Sequence, residues 1–191
     1  NKMKMMRRVT FSSGHRYWIP SLSESENREL FGQWASPFNH GHNYVLEVTV
    51  EGEVEPSTGM IVNIKRIDDV LKSEVVRVFD QKSINDEIEW FHSRSTSLEN
   101  LIRYLHGVIS SRPLPGGVSV TCIRLEEMPT LWAEWDGQDP MVTITRTYEF
   151  AAAHRLHSPF ISQEQNDAIY GKCMTVPASP ATVPPLRTAS V

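Results

Sequence analysis

The sequence predicts an α+β fold: an antiparallel four-stranded sheet with two helices packed on one face, in the order β-β-α-α-β-β. Three observations carry this. Residues 43–54, Asn-Tyr-Val-Leu-Glu-Val-Thr-Val-Glu-Gly-Glu-Val, are rich in β-branched residues and read as the clearest strand. Residues 64–79 and 97–110 carry apolar side chains at helical spacing. Strand patterns stand before and after this helix pair, which puts both helices on one side of an antiparallel sheet.

Taken in order, residues 4–16 read as a strand with weak alternation at Met6, Val9 and Phe11. Residues 21–33 are polar and predict a loop with a short helical turn. After the strand over 43–54, Pro56-Ser-Thr-Gly59 predicts a turn. Asn63 is placed to cap the first helix, with Ile64, Ile67, Leu71, Val75 and Val78 on its apolar face. Thr96 and Glu99 fit a capping box for the second helix, whose stripe is Leu98, Leu101, Ile102, Leu105, Val108 and Ile109. Pro113-Leu-Pro-Gly-Gly117 ends that helix, and strands follow over 118–126 and 131–136.

Composition narrows the function. The chain has 191 residues, room for one ordinary domain or one plus a fragment. Its formal charge of −4 argues against an electrostatic grip on nucleic acid. No apolar run approaches the roughly 18–20 residues of a membrane span. Cys122 and Cys173 are the only cysteines, which excludes a disulfide scaffold or a zinc site built mainly from thiolates. Asn1 to Arg8 is basic and Met-rich without an apolar signal core, so a cytoplasmic protein is expected. Position 1 is not Met, and the numbering is expected to begin inside a longer chain.

An internal repeat organises the chain. Phe11-Ser-Ser-Gly-His15-Arg16 matches Phe150-Ala-Ala-Ala-His154-Arg155. Ser23-Glu-Ser-Glu-Asn27 matches Ser162-Gln-Glu-Gln-Asn166, and Leu30-Phe-Gly32-Gln-Trp34 matches Ile169-Tyr-Gly171-Lys-Cys173. Every pair is separated by 139 positions (11 to 150, 15 to 154, 32 to 171), with no gap. Residues 1–138 are therefore expected to form a complete unit and 141–173 the N-terminal part of a second copy. Residues 174–191, proline-rich and without an acid, are expected to be a disordered tail.

Chemistry concentrates in Asn39-His40-Gly41-His42-Asn43. Side chains alternate along a strand, so His40 and His42 share a face and present two imidazoles to one ion. His15 lies on the neighbouring predicted strand. Three nitrogen ligands with an open position is the pattern of a catalytic zinc site. A bare His-x-His is also found on surfaces without metal; the repeated Phe-x-x-x-His-Arg context tips the reading toward metal. His92, His106 and His157 have no such spacing and read as surface residues, and Cys122 as core.

With these segments in view, residues 5–136 resemble the 6-pyruvoyl-tetrahydropterin synthase / 6-carboxy-tetrahydropterin synthase family. The resemblance is carried by Phe11–Arg16, Leu30–Gly32, Asn39–Tyr44, Gly59–Asn63, Phe79–Lys82, Leu98–Asn100 and Glu127-Met-Pro-Thr-Leu-Trp-Ala-Glu134. It implies the tunnelling fold (T-fold), homo-oligomers formed by sheet-edge pairing, and active sites at subunit boundaries. It implies 7,8-dihydroneopterin triphosphate as the small-molecule partner, with neither nucleic acid nor membrane. It also implies a Zn2+ ion held by His15, His40 and His42, and a pterin ring gripped by Glu127, with Ser97 and Glu99 on the substrate side. The Glu127–Glu134 segment looks more like the carboxy branch, which feeds queuosine-type deazapurine synthesis.

Proton handling departs from the family pattern. The family uses a cysteine after Gly-Lys and an Asp-His pair. Here the complete unit has Gly32-Gln33-Trp34 and Asp80-Gln81. Indole forms no thiolate and glutamine does not titrate, so Asp80 alone keeps a proton-handling role. The second copy keeps Gly171-Lys172-Cys173, which makes Cys173 a candidate base or simply an unreactive thiol. Two readings stay open: a lyase whose complete unit is impaired, and a non-catalytic zinc- and pterin-binding or assembly subunit. A third, an unrelated zinc hydrolase with Glu127 as base, is weaker.

Overall fold

A computed structural model describes residues 1–138 and 140–171. The chain divides into two compact units, Asn1–Tyr148 and a second that begins at Glu149. The tail over 174–191 and Cys173 lie outside the described residues.

The first unit opens with β1 (Lys2–His15). A connection carrying α1 (Glu24–Phe31) and a single 3-10 turn, Gly32–Trp34, leads to β2 (His40–Glu53). The region expected to hold one helical turn thus forms a helix of two turns. Its cause is local: Ser23 and Glu26 make a reciprocal capping box, and buried Asn27 ties the helix to the carbonyls of Ile19, Leu22 and Ser23. β1 and β2 pair antiparallel along their whole length, from Lys2↔Glu53 to His15↔His40.

The first long helix is interrupted in kind, not in direction. Asn63 caps α2 (Ile64–Leu71), which passes through a π-helical stretch, Lys72–Val76, into α3 (Arg77–Phe79). Ile67, Leu71, Val75 and Phe79 are buried, whereas Ile64 and Val78, expected on the same face, are exposed. The π turn is the reason. Its wider winding holds residues four apart on one face and moves the burial from Val78 to Phe79.

Next come β3 (Lys82–Ser83), α4 (Ile84–Glu87) and α5 (Leu98–Ser110). The cap of α5 is Ser97, which accepts from Asn100 N–H, and not the expected Thr96. The Thr96 hydroxyl instead donates to the Arg16 carbonyl, 3.1 Å away. Leu98, Leu101, Ile102, Leu105 and Ile109 of α5 are buried. They pack with Leu46, Val48, Val50, Ile123 and Leu125 of the sheet into one core.

The unit closes with β4 (Ser119–Met128), β5 (Leu131–Trp135) and β6 (Thr143–Arg146). The sheet has six strands in the order β3-β1-β2-β4-β5-β6. This corrects the expected four antiparallel strands. β3 pairs parallel with β1 at Ser13 and Gly14, so the sheet is mixed, and β6 adds an outer antiparallel strand on β5. Both are too short to show a period of their own. Cys122, read as core, is half-buried.

Within the second unit, α6 (Gln163–Tyr170) has the local build of α1. Ser162 and Gln165 form the capping box, and buried Asn166 donates to the carbonyls of Ser158, Ile161 and Ser162. Gly32 and Gly171 end the two helices at φ of 57° and 51°, a conformation suited to glycine. Among the described residues no helix is long and apolar enough to cross a membrane.

Candidate metal centre

The β1–β2 register places His15 directly opposite His40, and the pleat returns His42 to the same face. The three imidazoles meet there. Their ring centroids stand 4.5 Å (His15–His40), 5.1 Å (His15–His42) and 5.0 Å (His40–His42) apart. One ring nitrogen from each lies within 4.8 Å of the other two. The sequence reading named all three.

The tautomer of His15 follows from its partner. Its Nδ1 lies 3.1 Å from the Thr96 carbonyl, which only accepts, so Nδ1 carries the proton and Nε2 keeps its lone pair. His15 is fully buried, and its Nε2 has no hydrogen-bond partner. Burial, with repulsion from His40 and His42 and against the Thr96 bond, lowers its pKa to about 4. Burial and His40 likewise lower His42. The pair therefore tends to stay neutral, the form that binds metal. The Nε2 of His42 is a second buried nitrogen without a partner. Two orphaned imidazole nitrogens beside a third ring are costly unless something takes their lone pairs, and a zinc-sized cation fits that donor set.

Glu127 stands beside the cluster. Its Oε1 is 3.5 Å from His42 Nε2, a contact rather than a hydrogen bond, and its Oε2 is buried with no partner. Burial, opposed by Arg146 and reinforced by Glu99, pushes its carboxyl up to about 7. Glu99 itself is exposed on α5, so it acts on the site as a nearby charge. Ser97 is taken up as the α5 cap.

Asp80 and Gln81 brace β1. Asp80 Oδ1 accepts Ser12 N–H at 2.8 Å, and Gln81 N–H donates to the Ser12 carbonyl at 2.7 Å. Gln81 holds a φ of 60° and borders, with His42, an open cleft of about 360 Å³. Trp34 is 68% exposed. Of the remaining histidines, His92 and His157 are exposed, and half-buried His106 lies against Trp135 with the two rings tilted at 56°.

Two contributors had no readable signal in the sequence. One is Thr96, whose carbonyl orients His15 from 81 positions away. The other is Tyr44, fully buried beside His42 with a hydroxyl that has no partner, its pKa raised by burial and by Glu127 and Tyr17. The Arg of the His-Arg motif is structural. Arg16 grips Asp86 through two bonds of 2.7 and 2.6 Å, chiefly by which the Asp86 carboxyl is held well below its usual range. A depressed folded pKa gives stability that is present above the unfolded value of 3.8 and is lost as pH falls through the folded one. Asp86→Asn should therefore flatten the acid limb of a melting-temperature profile below about pH 4; an unchanged acid limb would contradict this role.

Comparison with known proteins follows the same lines. The family model described as 6-pyruvoyl tetrahydropterin synthase matches residues 4–138. A Drosophila melanogaster protein named 6-pyruvoyl tetrahydrobiopterin synthase is 37% identical over 101 residues, covering 53% of this chain and 60% of that protein. A Rickettsia conorii protein named 6-carboxy-5,6,7,8-tetrahydropterin synthase is 25% identical over 148 residues, covering 69% of this chain and 99% of that protein. Among solved structures, Caenorhabditis elegans 6-pyruvoyl tetrahydropterin synthase superposes with a TM-score of 0.64 at 29% identity, covering 72% of this chain and 97% of that one.

Proposed function

The chain belongs to the 6-pyruvoyl tetrahydropterin synthase family, and from that premise we propose that its complete unit is a zinc- and pterin-binding site of the tetrahydropterin synthase type, built for 7,8-dihydroneopterin triphosphate. The observation that carries the reading is the convergence of His15 Nε2, His42 Nε2 and Glu127 Oε2, all buried and all without a partner. His15, His40 and His42 would hold the metal, which when bound supplies Lewis acidity toward the hydroxyls of the substrate side chain.

The protein's own residues do the rest. The Thr96 carbonyl fixes the His15 ring so that its lone pair points into the cluster. Glu127 accepts the paired N–H groups of a pterin edge. Those donors favour its ionised form and reverse the upward push of burial. A ring without that donor pair leaves a buried carboxylate unsatisfied, and this makes the site selective. Asp80 is the one proton-handling group of the family pattern that the unit keeps; Trp34 and Gln81 stand where the other two would be.

These two positions support a second reading, a unit that binds zinc and pterin without turning substrate over. The product class has two supports that disagree. The Glu127–Glu134 segment favours the carboxy type and, with it, a place in queuosine-type synthesis. The 37% identity to a protein named a pyruvoyl synthase, against 25% to one named a carboxy synthase, favours the pyruvoyl type, which we adopt. The test is zinc analysis together with a turnover assay on dihydroneopterin triphosphate, products identified by mass. About one zinc per chain with weak turnover supports the impaired lyase. Ligand protection without product supports the binding subunit, and absence of both zinc and ligand binding overturns the proposal.

A further inference from the structure

Among the described residues, four buried side-chain atoms have no hydrogen-bond partner: His15 Nε2, His42 Nε2, Glu127 Oε2 and the Tyr44 hydroxyl. The proposed function uses the first three. Tyr44 is left over, and its hydroxyl is costly where it stands, because a buried O–H without a partner has lost its water and gained nothing in return.

The sheet explains why the hydroxyl is there. β2 and β4 pair antiparallel, with Leu46↔Leu125 and Val45↔Glu126. The next step of that register sets Tyr44 opposite Glu127. Both lie on the buried face, the one that carries Leu46 and Leu125. On its other side Tyr44 pairs with Phe11, and the two rings stack with centroids 5.2 Å apart and planes at 16°. The His42 ring stands 5.7 Å from the Tyr44 ring and the His15 ring 6.3 Å. Tyr44 is fully buried, so packing fixes its ring and the hydroxyl cannot swing out to another partner.

With the lone pairs of His15 and His42 given to a metal, one donor and one acceptor of the four remain, the Tyr44 O–H and Glu127 Oε2. We infer that Tyr44 is a positioning residue for Glu127: in the pterin-bound site its hydroxyl donates to Oε2 and holds the carboxylate facing the paired N–H groups of the ring. This rests on the reading of Glu127 as the carboxylate that grips the pterin. The last torsion of a glutamate is soft, so an unheld carboxylate meets the ring in many orientations. A donor on the neighbouring strand selects one of them, because its own place is set by the sheet and not by the ligand. A hydrogen bond to a carboxylate is also among the stronger ones. The same hydroxyl therefore lowers the stability of the free protein and raises its affinity for the ring.

Tyr44→Phe removes the hydroxyl and keeps the ring. The melting temperature of the free protein should stay the same or rise, since no bond within the chain is lost. Zinc content should not change, because no imidazole is touched. Affinity for pterin, read by quenching of its fluorescence, should fall about 10- to 100-fold, as expected for a hydrogen bond to a charged group. Lumazine carries an oxo group where pterin has its amino group and so lacks the donor pair. It should bind weakly, and alike to wild type and variant. The preference for pterin then falls together with its affinity, which a general loosening of packing would not produce. A variant that keeps the wild-type preference overturns the inference and leaves the role of Glu127 standing, which Glu127→Gln checks separately by abolishing that preference. A lowered melting temperature also overturns it, because the hydroxyl would then be bonded within the chain. A wild-type protein with no preference for pterin over lumazine overturns both this inference and the functional reading beneath it.

Discussion

His42→Ala should leave the protein folded and lower its zinc affinity more than about 100-fold, beyond the 10- to 100-fold usual for losing an outer partner of a metal ligand. The size follows from the geometry. Three ring nitrogens lie within 4.8 Å of one another, and removing one leaves His15 and His40, too few for a tight site. Folding survives because His42 Nε2 makes no hydrogen bond to another group of the chain, so its loss removes packing alone, about 1 kcal/mol. His92→Ala is the control: His92 is exposed and bonded to the Asp86 carbonyl, and its variant should keep the metal. Zinc measured by mass spectrometry after dialysis decides the matter. Stoichiometric zinc on the His42 variant would remove the metal centre, and the functional proposal with it.

Trp34→Cys combined with Gln81→His should raise turnover of dihydroneopterin triphosphate by about 10² to 10⁴, the usual worth of acid–base assistance. Both positions accept the change. Trp34 is 68% exposed in a short 3-10 turn, so its removal opens no core cavity. Gln81 sits at a φ of 60°, where histidine is among the more tolerated residues, and its backbone bond to Ser12 does not depend on the side chain. Asp80 is next in sequence, as the Asp-His pairing requires. Each single variant should gain less than the pair if the two groups act on one proton path. A double variant that binds zinc and pterin yet stays as slow as wild type would show that lost proton handling does not limit the rate.

Much of this site was readable before any fold was known. His-x-His at a strand start fixes two imidazoles on one face, because strand alternation is local geometry. The α5 stripe was read nearly whole for the same reason, while its cap was misplaced by one residue: Thr96 and Ser97 offer equivalent hydroxyls, and only the engagement of Thr96 with the Arg16 carbonyl separates them. The π turn escaped because period counting assumes one winding throughout. β3 and β6 escaped because two- and four-residue strands owe their existence to the edges they join.

Local pattern was thus sufficient for the α+β class, the three histidines and the family resemblance. These are features that neighbouring residues state outright. The long-range pairings settled what remained: that His15 stands opposite His40, that Thr96 directs its lone pair, that Glu127 is buried with an unmet oxygen, and that β6 lies on β5. Each joins groups whose separation along the chain carries no trace of their meeting. Burial and hydrogen-bond satisfaction are properties of the folded whole and are not additive over short windows of sequence.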